Sequence, residues 1–315
     1  MNRIGLIDVD SHSNFPNLAL MKISAYHKAK GDAVEWWKGF EKYDRVYQAK
    51  IFTDLYTKDN EYFIQADEII KGGTGYDLKN FLPAEIEHIM PDYSIYPTKN
   101  TAYGFLTRGC PRGCHFCIVA EKEGRKSVKV ADLSEFWNGQ KHIEILDPNI
   151  LACKDHIELL KQLSKTNVMV NLNQGVDCRL LTEENITELN QLRMKEIHFA
   201  WDYMKEENRV IEGLMLYNKQ GKTLNSHSKI VYVLVNFDTT MEENLYRIYK
   251  LKEMGYAPYV MVYNKYSAPK EIKELQRWVN NRIIFWNCDK FEDYTEKRIY
   301  NQTADQIEMN QEVGE

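Results

Sequence analysis

The feature that most constrains the fold is a regular alternation of strand-like and helix-like segments through most of the 315 residues. Apolar or alternating runs predict strands at 103–107, 142–146, 168–173, 196–201, 229–235, 258–263 and 282–286. Segments with helical apolar spacing predict helices at 131–138, 155–164, 182–192, 205–219, 241–254 and 270–280. Parallel strands that are each returned by a helix curl into a barrel or part of one. We therefore predict a partial (β/α)6 TIM-type barrel over residues 98–290, with functional side chains at the carboxyl ends of its strands.

The residues before this region predict a separate small α/β domain. Strands are expected at 3–8, 33–36, 45–52 and 68–70, with a helix at 17–30 after the first of them. This pattern favours a small doubly wound, Rossmann-like sheet in a domain over residues 1–97, which ends in a proline-rich linker at 81–97. Residues 291–315 are predicted to form a C-terminal extension, which is acidic and weakly patterned from Thr303 onward.

The composition of the chain limits which cellular compartment and which kinds of partner we expect. The formal net charge of -5 argues against broad binding to a nucleic-acid backbone. The apolar run 4–7 is too short for a signal-peptide core, and no run is long enough to span a membrane, so we expect a cytoplasmic protein without a membrane partner. Thiols stay reduced in that compartment, so the 6 cysteines are interpreted as ligands or buried apolar groups rather than disulfides.

Three of the cysteines lie close together after the first strand of the predicted barrel. Cys110, Cys114 and Cys117 have the spacing C-x3-C-x2-C, and Gly109 and Gly113 suit a loop that wraps closely around inorganic sulfide. Cysteine thiolates are the usual ligands of cubane iron–sulfur clusters, and three of them leave one iron open. S-adenosylmethionine can occupy such an open iron through its amino and carboxylate groups.

This segment resembles the signature of the radical S-adenosylmethionine superfamily, including the aromatic Phe116 before the last cysteine. The resemblance implies a [4Fe–4S] cluster on Cys110, Cys114 and Cys117, with Phe116 beside the adenine. It also implies reductive cleavage of S-adenosylmethionine by an electron from a donor such as flavodoxin or ferredoxin. The expected outcome is hydrogen abstraction from, or radical methyl transfer to, a substrate that the sequence does not name.

The alternative is a structural zinc site, which needs four ligands and usually takes them as paired doublets. The remaining cysteines are scattered over separate strand–helix units, and they are Cys153, Cys178 and Cys288. The alternative function is a non-catalytic metal-binding interaction protein, in which zinc or an iron–sulfur cluster is structural and a group of cations after the cysteines contacts phosphates: Lys122, Arg125, Lys126 and Lys129. The same cations also suit a solvated loop.

Polar residues follow the second and third predicted barrel strands. Similarity to relatives with a cobalamin-type front domain implies that Asp147, with Asn149, approaches the amino group of S-adenosylmethionine. After the third strand, Asn173 and Gln174 are further cofactor-binding candidates. Arg179 resembles the arginine that binds the methionyl carboxylate in similar enzymes. The alternatives are an ordinary turn at 147–149 and a surface arginine at 179.

The later strand ends carry weaker candidates. Asp202 follows the fourth strand, and alternation places His198 on its face. Asn236 follows the fifth strand as a cofactor-binding candidate, and Tyr263 follows the sixth, where it could relay a hydrogen atom or stack on a substrate. A lone histidine or tyrosine at such a position is also compatible with an ordinary core residue.

The first 97 residues resemble the cobalamin-binding domain that precedes many radical enzymes. The resemblance rests on residues 4–37, the turn 72–75 and the segments 82–87 and 91–93. Asp10 and His12 match two positions of the D-x-H-x-x-G pattern that supplies an imidazole to cobalt, but Phe15 replaces its glycine. The domain is also short, so cobalamin remains possible, but we expect a cobalamin-free, degenerate version.

Overall fold

The computed structural model describes residues 1–13, 15–59, 63–98 and 100–295. The chain divides into two compact units. The first unit comprises Met1–Gln174 and Thr187–Lys195, and the second comprises Gly175–Ile186 and the chain from Glu196 onward. The boundaries predicted after residues 97 and 290 stay predictions. Most of the extension predicted at 291–315 lies outside the described residues.

Both units contain parallel sheets and α-helices, and the first unit also has one short antiparallel pair. The strands are β1 (Arg3–Asp8), β2 (Ala33–Trp36), β3 (Tyr43–Ala49), β4 (Ala66–Gly72), β5 (Thr101–Gly104), β6 (Thr107–Arg108), β7 (Val128–Lys129), β8 (His142–Ile145), β9 (Met169–Leu172), β10 (Ile197–Ala200), β11 (Lys229–Val235) and β12 (Ala257–Val262). The helices are α1 (Leu18–Ala29), α2 (Ala84–Glu87), α3 (Val119–Lys122), α4 (His156–Lys165), α5 (Glu183–Gln191), α6 (Glu207–Gln220), α7 (Met241–Glu253), α8 (Lys270–Asn280) and α9 (Arg282–Asn287).

The N-terminal sheet has the order β2-β1-β3-β4, and all its neighbouring strands are parallel. The helix predicted after the first strand is confirmed as α1, and the Asn17 side chain caps it by accepting a hydrogen bond from Leu20 N at 3.2 Å. Leu6 of β1 and Leu20 of α1 meet in one buried cluster with Tyr47 of β3. Burial of this apolar face holds the helix against the sheet.

The first unit contains a second parallel sheet, β5-β8-β9, in which Tyr103, Glu144 and Asn171 are register partners across the three strands. The strand predicted at 103–107 lies earlier in the structure, because β5 ends at Gly104. The next paired residues are those of β6. The short strands β6 and β7 pair antiparallel, so they join the two ends of the intervening loop. This loop carries the three clustered cysteines.

The second unit contains the parallel sheet β10-β11-β12. Alternate residues such as Phe199, Val231 and Val260 are fully buried, and Phe199 lies edge-to-face with Tyr217 of α6 at 5.1 Å. The strands predicted at 196–201, 229–235 and 258–263 are therefore confirmed, as are the three helices that follow them. Within the described residues the parallel sheets do not close into a barrel.

The last predicted strand, at 282–286, is wrong, because these residues form α9. The apolar run Ile283–Trp286 is rich in residues that favour strands, and the prediction of a strand rested on this preference. Asn281 instead caps a helix by accepting a hydrogen bond from Ile284 N at 3.1 Å. Phe285 packs edge-to-face on Trp278 of α8 with the ring centroids 5.1 Å apart, so tertiary contact decides the conformation.

The helix predicted at 131–138 is also wrong. Only a three-residue 3₁₀ turn forms, at Leu133–Glu135, with a capping box between Asp132 and Glu135. Phe136 then leaves helical geometry and is buried beside Gly104, where a Cβ atom would meet its ring at 2.3 Å. The crossover from β5 to β8 therefore lacks a full α-helix in the structure.

Among the described residues, no helix combines the length and apolar character that crossing a membrane requires.

Candidate functional site

The three clustered cysteines lie on the loop 109–127, which β6 and β7 close at its base. The loop is folded by its own backbone, since Cys110 N donates to Gly124 O at 3.1 Å and Cys117 N donates to Cys114 O at 3.0 Å. The Glu123 carboxylate accepts hydrogen bonds from Gly109 N at 3.2 Å and from the Arg108 guanidinium at 2.9 Å. The cysteines are thus held on a closed, internally bonded loop.

Gly109, directly before the first cysteine, is required by the backbone. Its φ is +86°, and a Cβ atom there would lie 2.2 Å from Lys126 O. Any side chain would therefore force the two arms of the loop apart. The close approach at Gly109 is thus between two backbone segments of the loop, and the predicted wrapping of the loop around inorganic sulfide stays a prediction.

Asp147, the acidic residue predicted to approach S-adenosylmethionine, is bonded to the entry of the cysteine loop. Its carboxylate accepts hydrogen bonds from Leu106 N at 2.7 Å, Thr107 N at 2.8 Å and the Thr107 hydroxyl at 2.6 Å. The residue is buried, and burial raises the pKa of its carboxyl to about 7 although the three hydrogen bonds favour the ionised form. Asp147 therefore anchors the loop to the end of β8, and its predicted contact with a cofactor stays a prediction.

Asn149 contacts the same loop twice. Its side-chain Nδ2 lies 3.7 Å from Cys110 Sγ, where it can donate a hydrogen bond to the sulfur. Its carbonyl oxygen accepts a hydrogen bond from the buried Ser127 hydroxyl at 3.0 Å. The segment after β8 thus reaches the first cysteine and the far end of the loop. The predicted contact of Asn149 with S-adenosylmethionine stays a prediction.

The thiols differ in exposure: Cys110 and Cys114 are half-buried, and Cys117 is exposed. All six cysteines lie in the described part of the chain, and none forms a disulfide. In that same part, no three histidine, cysteine or acidic side chains are gathered closely enough to hold a metal ion. Three thiols on one loop are the kind of donor that binds an iron–sulfur cluster, and the predicted binding of a cluster by these three cysteines stays a prediction.

The remaining candidates of the first unit are Phe116, Asn173 and Gln174. Phe116 is half-buried on the cysteine loop. Asn173 N extends the pairing of β9 by donating to Ile145 O at 3.0 Å, and its side chain is half-buried, whereas Gln174 is exposed. The roles predicted for these three residues stay predictions.

In the second unit, Arg179 lies in an ion-pair cluster. Its Nε donates to Asp177 Oδ1 at 2.7 Å, and its Nη1 lies 3.5 Å from Glu206 Oε2. The side chain is only 15% exposed, so it is not the free surface arginine of the alternative interpretation. Its guanidinium is nevertheless already paired with protein carboxylates, and its predicted pairing with a methionyl carboxylate stays a prediction.

Asp202 follows β10, and burial raises the pKa of its carboxyl to about 6, against the positive charges of Arg247 and Arg179. Sequence reasoning missed Arg247, a fully buried residue of α7. Its guanidinium donates to Trp201 O at 2.7 Å, Asp202 O at 3.0 Å and Leu234 O at 2.9 Å. Burial lowers its pKa to about 10. Arg247 therefore holds the carboxyl ends of β10 and β11. The sequence did not indicate this role, because an arginine among the polar residues of a helix is ordinary.

Asn236 and Tyr263 are brought together at the ends of β11 and β12. Asn236 has a φ of +64°, and its Nδ2 donates to Tyr263 O at 2.8 Å. The Tyr263 side chain is 41% exposed and lies edge-to-face with Phe237, with ring centroids 4.7 Å apart. Asn236 thus orients the turn that presents the tyrosine. His198, in contrast, is buried, and its Nε2 lies 3.2 Å from Glu196 Oε1.

A polar row across β5, β8 and β9 was also missed. The Asn171 amide donates to the Glu144 carboxylate at 2.8 Å, and Glu144 faces Tyr103, whose pKa is raised by burial and by that charge. Strand alternation could have revealed the row, because each of these polar residues lies between buried apolar neighbours.

In the N-terminal sheet, His12 is exposed in a 3₁₀ turn after β1. The glycine-rich turn after β4 packs directly on the segment after β3. A Cβ atom at Gly73 would lie 2.2 Å from Lys50 O, and one at Gly75 would lie 2.3 Å from Phe52 O. These glycines therefore serve a close approach of two backbone segments, and whether the domain binds cobalamin stays a prediction.

No model of a known protein family matches the chain, and the search of curated proteins found no significant match.

Proposed function

We propose that the protein is a radical S-adenosylmethionine enzyme whose [4Fe–4S] cluster is held by Cys110, Cys114 and Cys117. The observation that carries the proposal is the spacing C-x3-C-x2-C on one closed loop directly after the first strand of a parallel sheet. The finer fold belongs to the same proposal: a Rossmann-like N-terminal sheet and a partial barrel formed by the later strands. The predicted cytoplasmic location and flavodoxin- or ferredoxin-type electron donor also belong to it.

The bound cluster and S-adenosylmethionine would supply one chemistry, the one-electron cleavage of the sulfonium to methionine and a 5′-deoxyadenosyl radical. The protein's own residues position that chemistry. Asp147 fixes the entry of the loop through three hydrogen bonds, so the first cysteine has a constant distance from the sheet. The Asn149 amide donates toward Cys110 Sγ at 3.7 Å, which helps to orient the first cysteine of the loop.

The second unit carries its own candidate residues. Arg247 orients the ends of β10 and β11, and with them the Asp202 carboxyl. Because its pKa is raised to about 6, Asp202 can take up and release a proton near neutral pH. Tyr263, presented by Asn236, offers an exposed phenol for stacking or hydrogen-atom relay. We propose these two side chains as the candidates for contact with the substrate.

Anaerobic reconstitution with iron and sulfide tests the proposal. The intact chain should bind about four irons and show the brown chromophore and electron paramagnetic resonance signal of a reduced [4Fe–4S] cluster. With S-adenosylmethionine and dithionite it should form 5′-deoxyadenosine. Cys114→Ala should lose most of the iron and all of the 5′-deoxyadenosine formation.

Cys288→Ala is the matched control, because that cysteine is half-buried and lies outside the cysteine loop. It should keep both the iron and the activity. Colourless protein that binds zinc and forms no 5′-deoxyadenosine would instead favour the non-catalytic metal-binding alternative. Equal iron loss in both variants would contradict the assignment of the ligands.

A further inference from the structure

The second unit has a groove lined by residues of α7, of α8 and of the segment 291–295. Its volume is about 760 Å³. One wall is apolar and aromatic, and includes Leu245, Tyr246 and Phe291. The other groups that line it include four carboxylates, those of Glu242, Glu271, Glu274 and Glu292. An acidic groove with an aromatic wall suits a ligand that is both cationic and apolar.

The acidic character of the groove is not neutralised locally. Lys270 lies 3.8 Å from Glu274, but Glu242, Glu271 and Glu292 pair with no lysine or arginine of the described residues. Tyr246 is 42% exposed at the same place. A cation that enters the groove would therefore meet three uncompensated carboxylates.

The described part of the chain ends beside this groove. Phe291 is buried against Trp278 of α8, with ring centroids 5.6 Å apart, and its N–H donates to the Tyr249 hydroxyl of α7 at 3.0 Å. Thr295 is among the lining residues, and it is the last residue that the structure describes. The segment that follows begins Glu296-Lys-Arg-Ile-Tyr300, in which two adjacent cations precede two apolar residues.

We propose that residues 297–300 occupy this groove in the same chain, with Lys297 and Arg298 against the carboxylates and Ile299 and Tyr300 against the aromatic wall. Arg298 is three residues from Thr295, so it can reach about 10 Å into the groove. Covalent attachment gives the segment an effective concentration in the millimolar range. Even a weak affinity of about 0.1 mM in trans would then leave it docked about ten times more often than free.

Docking would act on the helix that organises the strand ends. Met241, Leu245 and Tyr249 line the groove from α7, while Arg247 on the same helix donates to the carbonyls after β10 and in β11. A filled groove would therefore hold α7 in the position that Arg247 requires. The proposal does not depend on the iron–sulfur assignment.

Limited digestion of the full chain with trypsin tests the docking, because trypsin must cleave after Lys297 and Arg298. Cleavage there should be about tenfold slower than in a synthetic peptide of residues 290–305, and it should accelerate as salt is raised. Glu242→Gln combined with Glu271→Gln should raise the cleavage rate about tenfold toward that of the peptide. Both positions are exposed, so the fold is expected to persist, which circular dichroism checks.

Glu253→Gln combined with Glu212→Gln is the matched control, since it removes the same charge from α7 and α6 outside the groove. It should leave the cleavage rate at 297–298 unchanged. Cleavage of the intact chain at the rate of the free peptide would overturn the proposal, as would a lack of effect of the groove variant. Protection that disappears on dilution would overturn it too, because the groove would then bind the segment of a second copy.

Discussion

The contact between Asp147 and the start of the cysteine loop gives a quantitative prediction. Asp147→Ala removes the acceptor of three hydrogen bonds and leaves two buried backbone N–H groups, those of Leu106 and Thr107, without that partner. Each unsatisfied buried donor costs about 1–3 kcal/mol, so we expect the free energy of unfolding to fall by about 3 kcal/mol. Asp147→Asn keeps one oxygen acceptor and should lose about half as much.

The same carboxyl should make stability depend on pH in a definite direction. Burial raises its folded-state pKa from 3.8 to about 7, so between these values the folded protein binds more protons than the unfolded chain. Its contribution to stability is therefore complete below pH 4 and is lost as pH rises toward 7. At 1.36 kcal/mol per unit, the loss amounts to about 4 kcal/mol at most.

Urea denaturation of the wild type and Asp147→Asn at several pH values from 4.5 to 7.5 measures this effect. The stability difference between the two proteins should change by about 3 kcal/mol over the range, with Asn becoming relatively better at high pH. Other titrating groups are common to both proteins and cancel in the difference. A difference that stays constant within 0.5 kcal/mol, roughly the precision of such measurements, would show that Asp147 ionises normally and would refute the reasoning.

Two further substitutions test the loop and the strand ends. Gly109→Ala places a Cβ atom 2.2 Å from Lys126 O at a φ of +86°, and should lower the free energy of unfolding in urea by about 3 kcal/mol. Gly124→Ala is the control, because its φ is +92° but the space around it is open, and it should lose only about 1 kcal/mol. Equal losses would mean that backbone strain alone, and not the contact with Lys126, sets the cost. Arg247→Met strips buried carbonyl groups of their donor and should lower the free energy of unfolding by about 3 kcal/mol, and a loss under about 1 kcal/mol would contradict its anchoring role.

Local pattern was sufficient for most of the fold. Long segments with a clear pattern, such as α7 and β11, form where the sequence predicts them. The amphipathic spacing of α7 leaves one face that must be buried, and β11 is an almost continuous apolar run that is buried along most of its length. The cysteine spacing likewise identified the loop on which a cluster could bind. These features depend on residues that are near one another in the chain, so they can be predicted from one sequence.

Tertiary structure decided the rest. The run 282–286 has strand-forming residues but becomes a helix, since Phe285 finds its place on Trp278 only in that conformation. Asp147 is an acidic residue at a strand end, as a ligand-binding residue would be. Its carboxylate accepts a hydrogen bond from the backbone N–H of Thr107, 40 residues earlier in the chain. The helix pattern around Arg247 is ordinary, and only the tertiary structure shows the carbonyl groups of Trp201 and Leu234 that accept its hydrogen bonds. Phe285 meets its partner on the preceding helix, whereas the partners of Asp147 and Arg247 are remote in sequence. In all three cases burial makes the partner's hydrogen bonds or packing outweigh the local preference.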